Sequence, residues 1–189
     1  MHKKLPNIFI FIDKYNNEIF KNKNTNIGIV YRNYDDENRE NQLIKIAKGC
    51  KKRGYQLFVS NDIRLAYKFK ADGIYIPSFN KTRNFLNLEK KSLKLIGSAH
   101  SQKEIHKKIE QKCTTIFLSP LFYVKKSKKF LGLHKFNYLS NLNKIKILPL
   151  GGISENNIRK LKILSAQGFG GITIFKKKTG LKEAGFHKE

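Results

Sequence analysis

Residues 56–76 read QLFVSNDIRLAYKFKADGIYI, and this stretch decides the fold. Two short apolar runs, Leu57–Ser60 and Gly73–Ile76, flank a polar segment in which Asp62 can cap a helix that starts at Ile63. A strand, a helix and a second strand at this spacing are typical of a parallel βαβ unit. The stretch therefore predicts an α/β fold with a parallel sheet.

The same rhythm continues outward over the whole chain. Eight short runs are rich in β-branched or aromatic residues, as strands buried on both faces should be. They are Ile8–Ile12, Ile27–Tyr31, Leu57–Ser60, Gly73–Ile76, Leu93–Gly97, Thr115–Ser119, Ile145–Leu150 and Gly171–Phe175. Eight such strands predict a single (β/α)8 TIM barrel over residues 1–189, with an open doubly wound sheet as the alternative.

Helical spacing of apolar residues falls between several of these runs. The stripes are Leu43, Ile44, Ala47 and Cys50 in Asn41–Arg53; Ile105 and Ile109 in Ser101–Lys112; and Ile158, Leu161 and Leu164 in Ser154–Ser165, with Ser154 as N-cap. Because about 250 residues are typical of such a barrel, the length of 189 residues predicts shortened helices one, four and eight.

The amino-acid composition, above all the net charge, limits the classes of function that the protein can have. The 39 Lys and Arg against 14 Asp and Glu give 39 − 14 = +25, which favours anionic partners such as phosphorylated small molecules, nucleic acid or an anionic membrane surface. Compositional drift towards lysine explains the charge equally well. No run approaches 18 apolar residues, so a membrane span is not expected. Cys50 and Cys113 fit no metal or disulfide spacing and are expected to be core thiols of a cytoplasmic protein.

Polar and glycine residues follow the predicted strands, where barrel chemistry is found. Gly151 and Gly152 follow the seventh run and lead into a helix whose free N–H groups can hold phosphate. Lysine runs at 125–129 and 176–178 fall on the same rim. The sequence thus predicts that Lys128, Gly152 and Lys176 lie at the same end of the sheet as Asp62, forming an anion site.

The order of motifs resembles the thiamine-phosphate synthase and thiazole tautomerase (TenI-like) family. The matching pieces are VSNDIRLAYKFKADGIYIPSFN at 59–80, LIGSAHS at 95–101, TIFLSPLF at 115–122, LPLGGIS at 148–154 and AQGFGGITIF at 166–175. The resemblance implies a (β/α)8 barrel that joins hydroxymethylpyrimidine pyrophosphate to thiazole phosphate, uses Mg²⁺ and releases pyrophosphate.

The resemblance also implies roles for individual residues. Arg32 would hold pyrophosphate, Asn61 would contact the substrate, and Asp62 would bind Mg²⁺ with Asn80 at the second metal position. The thiazole phosphate would be cradled by Gly151, Gly152 and the backbone of Thr173, Ile174 and Phe175. Lys128, or else its neighbour Lys126 or Lys129, would take the place of the family lysine after strand six.

The chain departs from the family pattern at several of these positions. Asn80 stands for an aspartate, Tyr34 for a lysine, Ala99 for a serine and Val124 for a threonine, and Pro120 stands where the tautomerase histidine would be. Tautomerase activity is therefore not expected. Two readings remain for the family: an active synthase, or a catalytically silent barrel that binds a phosphorylated thiamine precursor. A basic nucleic-acid binder is a third hypothesis, but no recognised nucleic-acid motif accompanies the charge.

Overall fold

The structure is a computed structural model and describes residues 4–21, 26–34, 37–85, 93–127, 129–172 and 174–175. Eight parallel strands form its sheet. They are β1 (Ile8–Ile12), β2 (Ile27–Tyr31), β3 (Gln56–Ser60), β4 (Gly73–Ile76), β5 (Lys94–Ala99), β6 (Thr115–Leu118), β7 (Lys146–Pro149) and β8 (Phe169–Gly171).

The sheet closes into a barrel. Its strand order is β7-β6-β5-β4-β3-β2-β1-β8, and β1 pairs in parallel with both β2 and β8. The seam between β7 and β8 is joined by a parallel bridge between Leu150 and Gly170. The (β/α)8 prediction is therefore confirmed, and the doubly wound alternative is excluded because its sheet has two open edges.

Four α-helices cover the outside of the barrel in the described part of the chain. They are α1 (Arg39–Arg53), α2 (Ile63–Lys68), α3 (Gln102–Glu110) and α4 (Gly132–Asn141). In the described residues of the first connection the only helical segment is a short 3₁₀ turn, Asn17–Lys21, in agreement with a shortened helix one. Residues 77–85 contain no helix after β4; the rest of that connection and the predicted helix eight lie outside the described residues.

Two predicted elements are wrong in detail. The seventh helix, expected over Ser154–Ser165, is a 3₁₀ segment at Ile158–Ile163, and its N-cap side chain makes no capping bond. The eighth strand, expected at Gly171–Phe175, ends at Gly171. Ile174 and Phe175 are buried instead in the outer shell, where Phe175 stacks on Phe169 with 5.7 Å between ring centroids. Burial outside the sheet, and not strand pairing, explains their apolar character.

The core has two layers. Aromatic rings fill the barrel interior, and Phe117 packs edge-on against Phe9 and Phe11 with centroids 5.0 and 5.1 Å apart. The larger layer lies between the sheet and the helices and includes both cysteines, which are buried thiols outside any disulfide, as predicted. Burial raises the pKa of the Cys50 thiol, so it remains protonated. A filled interior leaves the ends of the strands as the place where a ligand can bind.

Candidate active site

A cavity of about 480 Å³ opens at the carboxyl ends of the strands, and we call it the mouth. It is lined by Asp13, Arg32, Asn33, Tyr34, Tyr75, Pro77, Ser78, Phe79, Ser98, His100, Ser119, Lys126 and Leu150. The lining combines a guanidinium, an ammonium, hydroxyl groups and aromatic rings. Such a cavity suits a ligand that carries both negative charge and a planar ring.

Arg32, which the resemblance assigns to pyrophosphate, lines the mouth. It follows β2 directly, and its N–H donates to the Ile12 carbonyl at 3.1 Å, which continues the β1–β2 ladder. Its guanidinium donates to both carboxylate oxygens of Asp13, with Nε–Oδ1 at 2.8 Å and Nη2–Oδ2 at 3.3 Å. Burial lowers the pKa of Arg32, but Asp13 more than offsets this, and the net pKa is raised. Asp13 thus occupies the Nε–Nη2 edge of this permanently charged fork, and a phosphate would use the remaining N–H donors, two on Nη1 and one on Nη2.

Tyr34 and Phe79 form one wall of the mouth. Their rings meet edge to face with centroids 5.6 Å apart. The Ser60 hydroxyl donates to the Tyr34 hydroxyl at 3.0 Å, and burial raises the pKa of Tyr34. Phe79 is 64% exposed although its side chain is apolar. An exposed phenylalanine beside a held tyrosine offers an aromatic surface to a planar ligand.

His100 links two hydroxyl-bearing residues across the mouth. Its Nδ1 lies 2.7 Å from the Ser119 carbonyl oxygen, which can only accept, so Nδ1 carries the proton. Nε2 then accepts from the Ser78 hydroxyl at 3.1 Å. The His100 backbone N–H donates to the Glu104 carboxylate in α3 at 2.7 Å. The imidazole is thus held in one tautomer and orients Ser78 towards the ligand space.

Asn61, Asp62 and Asn80, which we call the cluster, follow β3 and β4 at the same end of the barrel as the mouth, but the side chains of Asp62 and Asn80 share no hydrogen bond. Asn61 lies after β3, and Asn80, on the loop after β4, donates its amide N–H to the Asn61 side-chain oxygen. The Asp62 carboxylate caps α2 through Leu65 N–H at 2.9 Å and lies 3.4 Å from Arg39 Nη1. Among the residues that the structure describes, no three His, Cys, Asp or Glu side chains are grouped as a metal would require.

The oxygens of this cluster are already engaged. Both Asp62 oxygens have partners, and the Asn80 amide oxygen accepts from Thr82 N–H at 2.8 Å and Thr82 Oγ1 at 3.0 Å. Because the Thr82 N–H can only donate, it also fixes which way the Asn80 amide points. The donor set therefore does not fit a preformed Mg²⁺ site, although the Mg²⁺ expectation itself stays a prediction.

Gly151 and Gly152 form a tight turn at the same end of the barrel as Asp62, as predicted. Both have positive φ, +90° and +72°. A Cβ on Gly152 would lie 2.5 Å from the Phe122 carbonyl oxygen. The Asn157 side chain braces the turn through two hydrogen bonds. Its Nδ2 donates to the Gly152 carbonyl at 2.8 Å, and its Oδ1 accepts from Ser154 N–H at 2.9 Å. No α-helix begins here, so the expected helix N-terminus for phosphate is not formed.

The other predicted site residues fall in different places. Lys128, Thr173 and Lys176 lie outside the described residues, so their placement stays a prediction. Lys126 lines the mouth, whereas Lys129 is exposed without lining it. Ile174 and Phe175 have buried side chains in the outer shell.

Two further residues matter at this end of the barrel, and sequence reasoning missed one of them, Arg39. Ser98 lines the mouth and hydrogen-bonds with Tyr75, whereas Ala99 packs in the outer layer. Strand alternation could have assigned the hydroxyl to Ser98. Arg39 was missed because its partner Asp62 is 23 residues away and no local signal joins them.

The fold and the mouth define a (β/α)8 barrel with an arginine, an aromatic pair and a histidine–serine chain around one cavity. A family model described as thiamine monophosphate synthase matches residues 17–175, and the chain belongs to that family. None of the helices in the described ranges is long and apolar enough to span a membrane.

Similar proteins agree with this assignment. The chain is 30% identical over 135 residues to a thiamine-phosphate synthase of Prochlorococcus marinus subsp. pastoris, covering 70% of this chain and 38% of that protein. It is 32% identical to the thiamine-phosphate synthase of another Prochlorococcus marinus strain, covering 67% of this chain and 37% of the other. The matches thus span little more than a third of these relatives.

Solved structures share the fold. A thiamine phosphate pyrophosphorylase from Pyrococcus furiosus superimposes with a TM-score of 0.77 at 16% identity, covering 95% of this chain and 93% of that one. A 2-keto-3-deoxy-6-phospho-gluconate aldolase from Zymomonas mobilis superimposes with a TM-score of 0.69 at 12% identity, covering 98% and 95% of the two chains.

Proposed function

We propose that this protein is a thiamine-phosphate synthase-like transferase that couples hydroxymethylpyrimidine pyrophosphate with thiazole phosphate and releases pyrophosphate. The observation that carries the proposal is the placement of the Arg32 fork and the Tyr34–Phe79 wall around one cavity in a member of this family. The substrates combine phosphate groups with planar rings, which are the two features that the mouth can recognise.

The reaction needs little proton transfer. The bond between the pyrimidine methylene carbon and the pyrophosphate oxygen breaks, and the leaving group takes the electron pair. The thiazole nitrogen then gives its lone pair to the methylene carbon and becomes the ring cation of the product. The barrier falls when negative charge on the leaving group and positive charge on the methylene are both stabilised.

The mouth residues suit these two charges. Arg32 faces the leaving pyrophosphate, and Asp13 keeps its guanidinium oriented. The electron-rich faces of Tyr34 and Phe79 favour a planar cation over a neutral ring. His100 and Ser78 hydrogen-bond to each other, and because the coupling needs little proton transfer we assign them the role of orienting the ligand.

A second candidate function is binding of a phosphorylated precursor without turnover. It is favoured by Asn80, which removes one carboxylate from the cluster, and by the engaged oxygens of Asp62. Such a protein would keep the Arg32 fork and the aromatic wall but lack catalytic power.

Pyrophosphate release with both precursors separates the two functions. A synthase releases pyrophosphate only when both are present, and Arg32→Met lowers the rate by about 100-fold or more, as loss of a charge stabiliser does. Arg64→Met is the matched control, because Arg64 is an exposed arginine on α2 that pairs with Glu40. Precursor binding by calorimetry without release would establish the binding function, and absence of both would reject the proposal.

A further inference from the structure

Arg39 lies beside Asp62, the residue that the family resemblance implies as a Mg²⁺ ligand. It is the first residue of α1, so its backbone is fixed by the helix. Its Nη2 donates to the Ser60 carbonyl at 2.5 Å, and its guanidinium carbon lies 5.8 Å from the Tyr31 ring centroid. Only 14% of its side chain is exposed. This arginine is therefore held in place and is not a loose surface cation.

The charge of Asp62 is balanced inside the protein by this guanidinium. Mg²⁺ is usually held by one or two carboxylates together with substrate phosphates. Here Asn80 is neutral, its amide oxygen is used by Thr82, and the only described carboxylate of the cluster faces Arg39. A divalent cation that binds Asp62 would lie close to the Arg39 guanidinium, which is 3.4 Å from the carboxylate. Repulsion between these two positive charges opposes cation binding.

We propose that Arg39 takes the place of a divalent cation beside Asp62, so that the mouth binds its anionic ligand without a metal. The inference rests on the proposed function only for the identity of that ligand, pyrophosphate. Arginine suits the role because its guanidinium stays charged at every physiological pH and carries five donors in a rigid plane. In the resulting site Lys126 supplies positive charge that faces the ligand, and Arg32, which is paired with Asp13, supplies its remaining N–H donors.

The wild-type protein provides the first test. Pyrophosphate is titrated by calorimetry in EDTA and again with excess Mg²⁺, and we expect the two affinities to agree within about threefold, because no metal completes the site. Mn²⁺ titrated alone and followed by electron paramagnetic resonance should show no site that Asp62→Asn removes. A pyrophosphate affinity at least about tenfold higher with Mg²⁺, lost in Asp62→Asn, would overturn the inference.

Variants of the arginine provide the second test. In Arg39→Met the Asp62 carboxylate loses its cation, so Mn²⁺ binding should strengthen by about tenfold or more relative to wild type, as added ligand charge strengthens cation sites. Arg64→Met removes the same charge from an exposed position and should leave Mn²⁺ binding unchanged. Equal Mn²⁺ binding in wild type and Arg39→Met contradicts the role given to Arg39. Circular dichroism confirms that each variant is folded.

The two proposals fail in different ways. If wild type binds no pyrophosphate with or without Mg²⁺, the proposed function is wrong, whereas the Mn²⁺ titrations still decide what neutralises Asp62. If pyrophosphate binds equally in both buffers but Arg39→Met gains no Mn²⁺, Arg39 is only a structural arginine.

Discussion

Asp62 illustrates how one side chain can be found from sequence while its main contact cannot. Its position after a strand and before a helix predicted either a cap or a metal ligand, and the cap is present. Its second partner, Arg39, is the first residue of α1, which lies between β2 and β3. Pairing across 23 residues depends on how the barrel closes, and no local pattern encodes it.

The cap can be measured by comparing two substitutions of Asp62. Asp62→Ala and Asp62→Asn both remove the ion pair with Arg39, but only Asn keeps a capping oxygen for Leu65 N–H. We expect the alanine variant to be less stable than the asparagine variant by about 0.5–2 kcal/mol. Urea unfolding of both variants measures the difference, and equal free energies of unfolding would show that the cap contributes nothing.

Gly152 allows the cost of a left-handed backbone to be separated from the cost of a steric clash. Gly152 and Gly54 have nearly the same φ, +72° and +70°, but a Cβ on Gly54 would meet nothing within 4 Å, whereas one on Gly152 would run into the Phe122 backbone. Gly54→Ala should cost about 1–2 kcal/mol for the left-handed conformation alone.

Gly152→Ala should cost more than Gly54→Ala, by roughly 1–3 kcal/mol, because the turn must also move away from the loop after β6. Thermal or urea unfolding of the two variants gives the comparison. If both lose the same stability, the close approach at Gly152 is relieved without cost, and the turn is less rigid than the structure indicates.

At the scale of elements, α3 shows where helical periodicity fails. The spacing predicted Ile105 and Ile109 on the buried face, but Ile109 is 39% exposed and Lys108 is 1% exposed. Lys108 Nζ donates to the Pro77 and Asn80 carbonyls at 2.7 and 2.8 Å and to Gln111 Oε1 at 2.8 Å. A lysine enters the core here because the loop after β4 presents two carbonyl acceptors and Gln111, at the end of α3, presents a third. A pattern of apolar residues cannot reveal these acceptors.

This helix holds the rim of the mouth. Gln111 also donates to the Asn80 and Thr82 carbonyls at 3.1 and 2.6 Å. Lys108→Met keeps the length of the stem but removes its donors, so hydrogen exchange of the Asn80 and Thr82 amides should become faster, by at least about tenfold. Lys103→Met, at an exposed position of the same helix, is the control. Unchanged exchange in Lys108→Met would show that the loop holds itself.

The buried ammonium also predicts a pH dependence of stability. Burial lowers the pKa of Lys108 to about 8 from an ordinary 10.5; Cys113 and Glu104 oppose this, and Lys107 adds to it. Between these two pH values the unfolded chain binds a proton that the folded protein has lost, so stability rises with pH.

The measurement is the free energy of unfolding of wild type minus that of Lys108→Met. This difference should increase from pH 8 to pH 10.5 and stay level below pH 8. A difference that is constant over the whole range, or that falls as pH rises, contradicts a lowered pKa for Lys108.

At the scale of the whole molecule, the barrel was predictable and its mouth was only partly so. Eight strands could be recognised because each is buried on both faces and is therefore apolar along its length. Arg32 was placed correctly because a residue that directly follows a strand must lie on the rim. The seventh helix was predicted wrongly, because the Asn157 side chain hydrogen-bonds back to Gly152 and the helical segment begins only at Ile158. This contact depends on the glycine turn and not on the spacing of apolar residues.

The net charge of +25 is a property of the whole surface, and its role can be separated from that of the mouth. Binding driven by surface charge alone should be lost with salt: six to ten phosphate contacts lose about 10³–10⁵ in affinity for duplex DNA between roughly 50 and 200 mM salt. The affinity for pyrophosphate bound at Arg32 should fall far less over the same salt range.

Arg32→Met should weaken pyrophosphate binding and leave DNA binding unchanged, since one charge among 39 contributes little to a diffuse field. Fluorescence anisotropy with labelled DNA and calorimetry with pyrophosphate, each over a salt series, provide the data. DNA affinity that survives the higher salt would instead make the charge a specific binding surface and revive the nucleic-acid hypothesis.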